Sequence, residues 1–126
     1  MKIEHIAVAS NTIEDSDRFF IKLLGLKKTK TFPVSAELMK KFFGLNKEHL
    51  FVRYQNDNLG VEVIITNDNS KSNDIFTHSC LIVDNRDEFI DKSSSIGFPT
   101  IKVPRKDSNG YYLFVKDSFG NLYEIK

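Results

Sequence analysis

The stretch "LFVRYQNDNLGVEV" (residues 50–63) returns near the end of the chain as "LFVKDSFGNLYEI" (residues 113–125), the first copy carrying one inserted residue in its turn. Each copy reads as two strands around a turn rich in Asn, Asp, Ser and Gly. The overlay sets Glu62 on Glu124. Upstream, "KIEHIAVAS" (residues 2–10) is matched by "DIFTHSCLIV" (residues 74–83), which sets His5 on His78. A repeat of about 60 residues in two copies is too long and too few for a solenoid, so the chain reads as a duplicated β-rich module.

The elements between these landmarks repeat in the same order. In the first half, residues 2–9 alternate as a strand, and Thr12 to Leu24 carries Ile13, Phe19, Phe20, Leu23 and Leu24 at helical spacing with Gly25 as the stop. Strands "LKKTKTF" (residues 26–32), "HLFVRYQ" (49–55) and "GVEVIIT" (60–66) follow. Between the first two of these, "SAELMKKFFGL" (35–45) reads as an extra helix with Ser35 as N-cap and Glu37 in its first turn. The second half gives a strand "FTHSCLIV" (76–83), a helix "NRDEFIDKSSSIG" (85–97), a strand "PTIKV" (99–103) and the hairpin "YYLFVKDSFGNLYEI" (111–125). Residues 67–74, "NDNSKSND", have no hydrophobic period and read as the linker. The expectation is one domain over residues 1–126, with module one about 1–66 and module two about 75–126.

Composition narrows the function classes. A chain of 126 residues, 40% apolar with eleven Phe, can build one core. Its 18 basic and 17 acidic side chains leave a formal charge of +1, which offers no electrostatic footprint for nucleic acid. No run approaches the roughly 20 apolar residues of a membrane span, and "MKIEH" lacks a signal-peptide core, so a cytoplasmic protein is expected. Cys80 is the only cysteine, which excludes an intrachain disulfide and a multi-thiolate zinc site.

Strand alternation then decides where four polar side chains point. His5 shares a face with Ile3, Ala7 and Ala9, and His78 with Phe76, Cys80 and Ile82. Glu62 lies with Gly60 and Ile64, opposite Val61, Val63 and Ile65; Glu124 lies with Leu122, opposite Tyr123 and Ile125. A carboxylate so placed needs a partner. A divalent ion held by His5, Glu62, His78 and Glu124 satisfies all four at once. Taken singly, a strand His is a core or rim residue and Glu124 a solvated one; recurrence at matching positions favours a shared site. His49 has no counterpart and is assigned no role.

With those residues in place, the chain resembles the vicinal oxygen chelate superfamily of glyoxalase I, methylmalonyl-CoA epimerase, extradiol dioxygenases and fosfomycin- and bleomycin-resistance proteins. The resemblance rests on "IEHIAVAS", "DSDRFFIKLLGL", "THSCLIVDN" and "KDSFGNLYEI". It implies an α+β fold of two βαβββ modules forming a curved incomplete β-barrel, with ligands from the first and last strands of each module. The set His5, Glu62, His78, Glu124 is similar to that of bacterial glyoxalase I. One divalent ion is implied, with Ni, Zn, Co, Mn or Fe all compatible with such donors.

The function so implied is that of a lyase or isomerase removing a proton next to a carbonyl of a small-molecule substrate, with the metal stabilising an enediolate and Glu62 or Glu124 as the base. Two alternatives stand beside it. One is an acyl-CoA epimerase, with Arg53, Lys102, Arg105 and Lys116 as contributors to a phosphate-binding rim. The other is a metal-free sequestering protein of the bleomycin-resistance type. A homodimer is expected, and in this family the metal cup is built within one chain or across two. The extra helix presents Leu38, Met39, Phe42 and Phe43 either as a lid over the cleft or as an extension of the core.

Overall fold

The computed structural model describes residues 1–126, which divide into two compact units, Met1–Ser70 and Lys71–Lys126. No helix is long and apolar enough to cross a membrane. The first unit runs β1 (Ile6–Ser10), α1 (Ile13–Ser16) continuing as a π-helix (Asp17–Leu23), β2 (Lys27–Val34), α2 (Ala36–Phe43), β3 (His49–Gln55) and β4 (Gly60–Ile65). The second runs β5 (His78–Leu81), α3 (Arg86–Ser95), β6 (Thr100–Pro104), β7 (Tyr111–Lys116) and β8 (Leu122–Ile125). The sheets have the same topology, β1-β4-β3-β2 and β5-β8-β7-β6. In each, the first strand pairs in parallel with the last and the other pairs are antiparallel. The chain is therefore α+β, and each unit is a βαβββ module, α2 being an insertion in the first.

The first strand of each module is shorter than its alternating pattern suggests. β1 starts at Ile6, whose partner is Val61, and β5 spans only His78 to Leu81 opposite Leu122 to Ile125. A strand ends where its ladder partner ends. β4 begins just after the turn at residues 56–59, so nothing pairs with Ile3, and Ile3 is exposed. Ahead of β5, Asp74 accepts from the backbone N–H groups of Phe76 and Thr77, both at 2.9 Å, a turn that replaces strand there.

Thr12 caps α1 by accepting from the Asp15 N–H at 3.1 Å. Beyond Ser16 the coil widens: the Leu24 N–H reaches the Phe19 carbonyl at 3.0 Å, five residues back. A wider turn rotates successive side chains through a smaller angle, and both Phe19 and Phe20 are fully buried as neighbours. Phe20 stacks on Tyr54 at 5.2 Å, and the Tyr54 hydroxyl donates to Asp17 at 2.7 Å. This places the π-helix on the face of the first sheet that carries Tyr54, Val52, Val61 and Val63.

The opposite face carries Ala7, Glu62, Arg53 and Lys30 in one row and Ile64, Phe51 and Phe32 in the next, as the registers dictate. Helix α2 lies on this face. Ser35 caps it by accepting from the Leu38 N–H at 3.3 Å, and Gly44 ends it in the left-handed conformation (φ 74°). Met39 is buried in a cluster with Val34 and Phe51, against which Phe32 and Ile64 pack. Leu38, Phe42 and Phe43 remain exposed. The core extension is thus made by Met39 alone.

In the second unit, Asn85 caps α3 by accepting from the N–H groups of Asp87 and Glu88. The helix buries Phe89 and Ser93, and one sheet face buries Leu113, Val115, Tyr123 and Ile125. The other face holds His78, Cys80, Glu124 and Phe114.

Candidate metal centre

The four candidate ligands sit as two equivalent pairs, one in each unit. Glu62 is opposite Ala7 on β4, and His5 lies two residues before Ala7; Glu124 is opposite Cys80 on β8, and His78 lies two residues before Cys80. The facing atoms are His5 Nε2 and Glu62 Oε1 at 4.0 Å, and His78 Nε2 and Glu124 Oε2 at 3.8 Å. Both glutamate side chains are largely enclosed, 19% and 15% exposed. Within either unit, no third His, Cys, Asp or Glu side chain completes a group that could hold a metal.

Hydrogen bonds at the far side of each ring decide what faces the carboxylate. His78 Nδ1 lies 2.8 Å from the Phe76 carbonyl oxygen, which can only accept. The Nδ1 proton is therefore donated there, and in the neutral ring Nε2 presents a lone pair to Glu124. His5 repeats the arrangement, its Nδ1 bonding the Glu4 carboxylate. Hydrogen bonds from His5 and Arg53 hold the Glu4 carboxyl below its usual range, so it is an acceptor at neutral pH. At 3.8–4.0 Å neither Nε2 is hydrogen-bonded to its glutamate. In both modules two electron-pair donors face one another, and two bonds of about 2.1 Å are long enough to join them through an ion. The donor set fits a divalent metal.

The glutamates are not partnerless, and their partners differ. Glu62 is opposite Arg53 on β3, with Arg53 Nη1 at 3.5 Å from Glu62 Oε2. Arg53 also bonds Glu4 Oε1 through Nη2 at 2.5 Å and Gln55 Oε1 through Nε at 3.2 Å. In module two the residue opposite Glu124 is Phe114, whose ring meets His78 edge-on at 5.8 Å. Glu124 pairs instead with Lys126 at 3.5 Å.

The linear overlay conceals this difference by setting Arg53 against Lys116. Counted from the closing pairs, Gln55 with Gly60 and Lys116 with Leu122, the match is Arg53 with Phe114. The longer turn is thus the second, residues 117–121 against 56–59. A two-residue slip keeps every side chain on its face, so Arg53 and Phe114, like the Lys116 of the overlay, lie on the face of the glutamates.

Nothing in the sequence marks Glu4 as a partner of Arg53, although it adjoins His5, and Arg53 figures there as a contributor to a phosphate-binding rim only under the epimerase alternative. Arg53 is committed to three protein partners instead. Within the second unit, Lys102 lies over the Tyr111 ring at 4.0 Å and Arg105 over Tyr112 at 4.2 Å. His49 is buried, with Nδ1 at 2.9 Å from the Lys47 carbonyl, and serves the core of the first module.

Residues 2–125 match the model of the Glyoxalase/Bleomycin resistance protein/Dioxygenase superfamily, and the chain belongs to that superfamily. No curated protein matches it in sequence. Among solved structures it is similar to a glyoxalase family protein from Enterococcus faecalis, at 15% identity and TM-score 0.74, covering 98% of this chain and 95% of that one. It is also similar to the fosfomycin resistance protein FosX from Mesorhizobium loti, at 12% identity and TM-score 0.69, with 98% and 89% covered. FosX from Listeria monocytogenes, complexed with Mn(II) and sulfate ion, gives 13% identity, TM-score 0.69 and the same coverage. At these identities the likeness is one of fold.

Proposed function

We propose that this protein is a metal-dependent enzyme of the glyoxalase type, a lyase or isomerase that removes a proton next to a carbonyl of a small oxygenated substrate. In this reading His5, Glu62, His78 and Glu124 supply the four ligands of one divalent ion, Ni, Zn, Co, Mn or Fe, within one chain or across a homodimer in the cytoplasm. The observation that carries it is the duplicated pair in which an imidazole Nε2 faces a carboxylate oxygen at 4.0 and 3.8 Å. Each pair offers two donors, fewer than the three or four protein ligands that hold such an ion. Two pairs supply the number. The Mn(II) complex of FosX supports a divalent ion on this fold.

When bound, the ion offsets the negative charge that develops on the substrate's oxygens. The chain's own residues do the rest. Glu62 or Glu124 takes the proton from carbon and returns it to the neighbouring position. Glu4 and the Phe76 carbonyl keep the Nδ1 protons of His5 and His78, so that both Nε2 atoms stay available. In the second module, Phe114 lies opposite Glu124 and Leu122 precedes it on the same face, so the carboxylate stands beside apolar side chains.

Protein purified without chelator should carry about one divalent ion per four-residue site and be stabilised thermally when Mn, Ni, Co or Zn is restored after chelation. Elemental analysis without metal, together with no shift in melting temperature on adding these ions, sinks the reading in favour of a metal-free binding protein.

A second reading has one observation in its favour. The Arg53–Glu62 ion pair at 3.5 Å would retain Glu62 on the protein, leaving His5, His78 and Glu124 as a three-ligand site. Glu62→Gln separates the two: a loss of metal affinity of at least ~10-fold for four ligands, none for three.

A further inference from the structure

Arg53 lies at the centre of the most extensively bonded polar cluster on the first sheet. Its side chain is 14% exposed, and each of its three nitrogens has a different partner: Nε on Gln55, Nη1 on Glu62 and Nη2 on Glu4. Glu4 in turn accepts from His5 Nδ1. One guanidinium therefore reaches both candidate ligands of the first module, Glu62 directly and His5 through Glu4.

The backbone is shaped to admit it. A Cβ on Gly60 would stand 3.0 Å from Arg53 Nη2 and 3.0 Å from the Glu4 carbonyl oxygen. Gly60 has a β-strand backbone, so its lack of a side chain is used here for close approach. The notch lets the fork lie across β4 and brings the Glu4 segment against it. Nothing corresponding exists in the second module, where Phe114 takes the cross-strand position and the Phe76 carbonyl orients His78.

We propose that Arg53 is a positioning residue for the metal centre: it orients Glu62 directly and His5 by way of Glu4, so that the first pair of donors is set before the ion arrives. The proposal rests on the reading of His5 and Glu62 as ligands. Arg is suited to this because its planar fork bonds two carboxylates at once in fixed directions, which the point charge of Lys cannot do. A purely electrostatic role predicts the opposite behaviour. A cation that merely neutralises Glu62 competes with the metal, and its removal should tighten metal binding.

The test is a titration of the chelator-treated, full-length protein with Mn(II), followed by calorimetry, on wild type, Arg53→Met, Arg53→Lys, Glu4→Ala and Glu124→Gln. Positioning predicts that Arg53→Met weakens Mn(II) binding by about 10-fold or more, that Arg53→Lys fails to restore it, and that Glu4→Ala weakens it too. Glu4 is 71% exposed, so that variant keeps the test valid should Arg53→Met fail to fold. Unchanged or tighter binding in Arg53→Met and Glu4→Ala, with wild type binding and Glu124→Gln impaired, overturns the proposal and leaves the metal site standing. No Mn(II) binding by wild type overturns the metal reading and the proposal with it.

Discussion

Asp117 shows how one buried side chain sets up the site from a distance. Its Oδ1 accepts from the N–H groups of Phe119, Gly120 and Asn121 at 3.0, 3.0 and 2.9 Å, and its Oδ2 from Asn121 Nδ2 at 2.8 Å and the Tyr123 hydroxyl at 3.3 Å. These bonds shape the turn that sends β8 back along β7 with Glu124 opposite Phe114. Burial raises the carboxyl above its ordinary 3.8, and the hydrogen bonds work against that rise without cancelling it. The sign follows from linkage. A group whose folded pKa is raised binds its proton more tightly in the folded state, so the stability this confers is present below pH 3.8 and lost as pH rises through the folded value. Asp117→Asn imitates the neutral form. The stability of wild type relative to this variant, from urea unfolding at a series of pH values, should fall from pH 3.8 upward and level off above the folded pKa; a flat or rising difference contradicts the assignment.

At the scale of elements, α2 combines an anchored side with an open one. Met39 is 2% exposed against Phe51 and Val34, while Phe42, edge-on to Phe43 at 6.0 Å, is 62% exposed. Met39→Ala should therefore cost about 2 kcal/mol, the low end for buried methionine in so small a cluster. Phe42→Ser should cost less than ~0.5 kcal/mol. Urea unfolding reads both, and equal effects would mean that the helix is held by its open side. The cluster under Met39 includes Ile64, two residues beyond Glu62 on the same face. Helix α2 therefore roofs the row of side chains next to the candidate ligands.

At the scale of the molecule, duplication has supplied two pairs of equal geometry in unequal surroundings, one beside a guanidinium and one beside an aromatic ring. Glu62→Gln, which keeps the shape and removes the charge, should weaken metal binding by at least ~10-fold and leave the fold intact. His49→Ala should do the reverse. His49 is buried and bonded to the Lys47 carbonyl, so its loss should cost about 1–3 kcal/mol of stability with metal affinity unchanged. Calorimetric titration and thermal unfolding of the two variants side by side separate the roles.

What the sequence by itself determined is whatever depends on neighbours along the chain. The alternation in "GVEVII" puts Glu62 on the face opposite Val61 and Val63, and the caps at Thr12, Ser35 and Asn85 start helices at those positions. The doubled pattern also pairs Glu62 with Glu124, because within a strand a side chain's face follows from period two alone; His5 lies ahead of β1, outside that rule. Tertiary structure decided where β1 and β5 begin, since a strand lasts only as long as its partner. It decided the widening of the first helix, where two adjacent phenylalanines are drawn into one core. It also decided that Phe114, and not the Lys116 that the overlay sets against Arg53, lies opposite Glu124, because cross-strand register is set by turn length and turn geometry. Glu4 bridges His5 and Arg53 for the same reason: these partners meet only when β3, β4 and the chain ahead of β1 lie side by side.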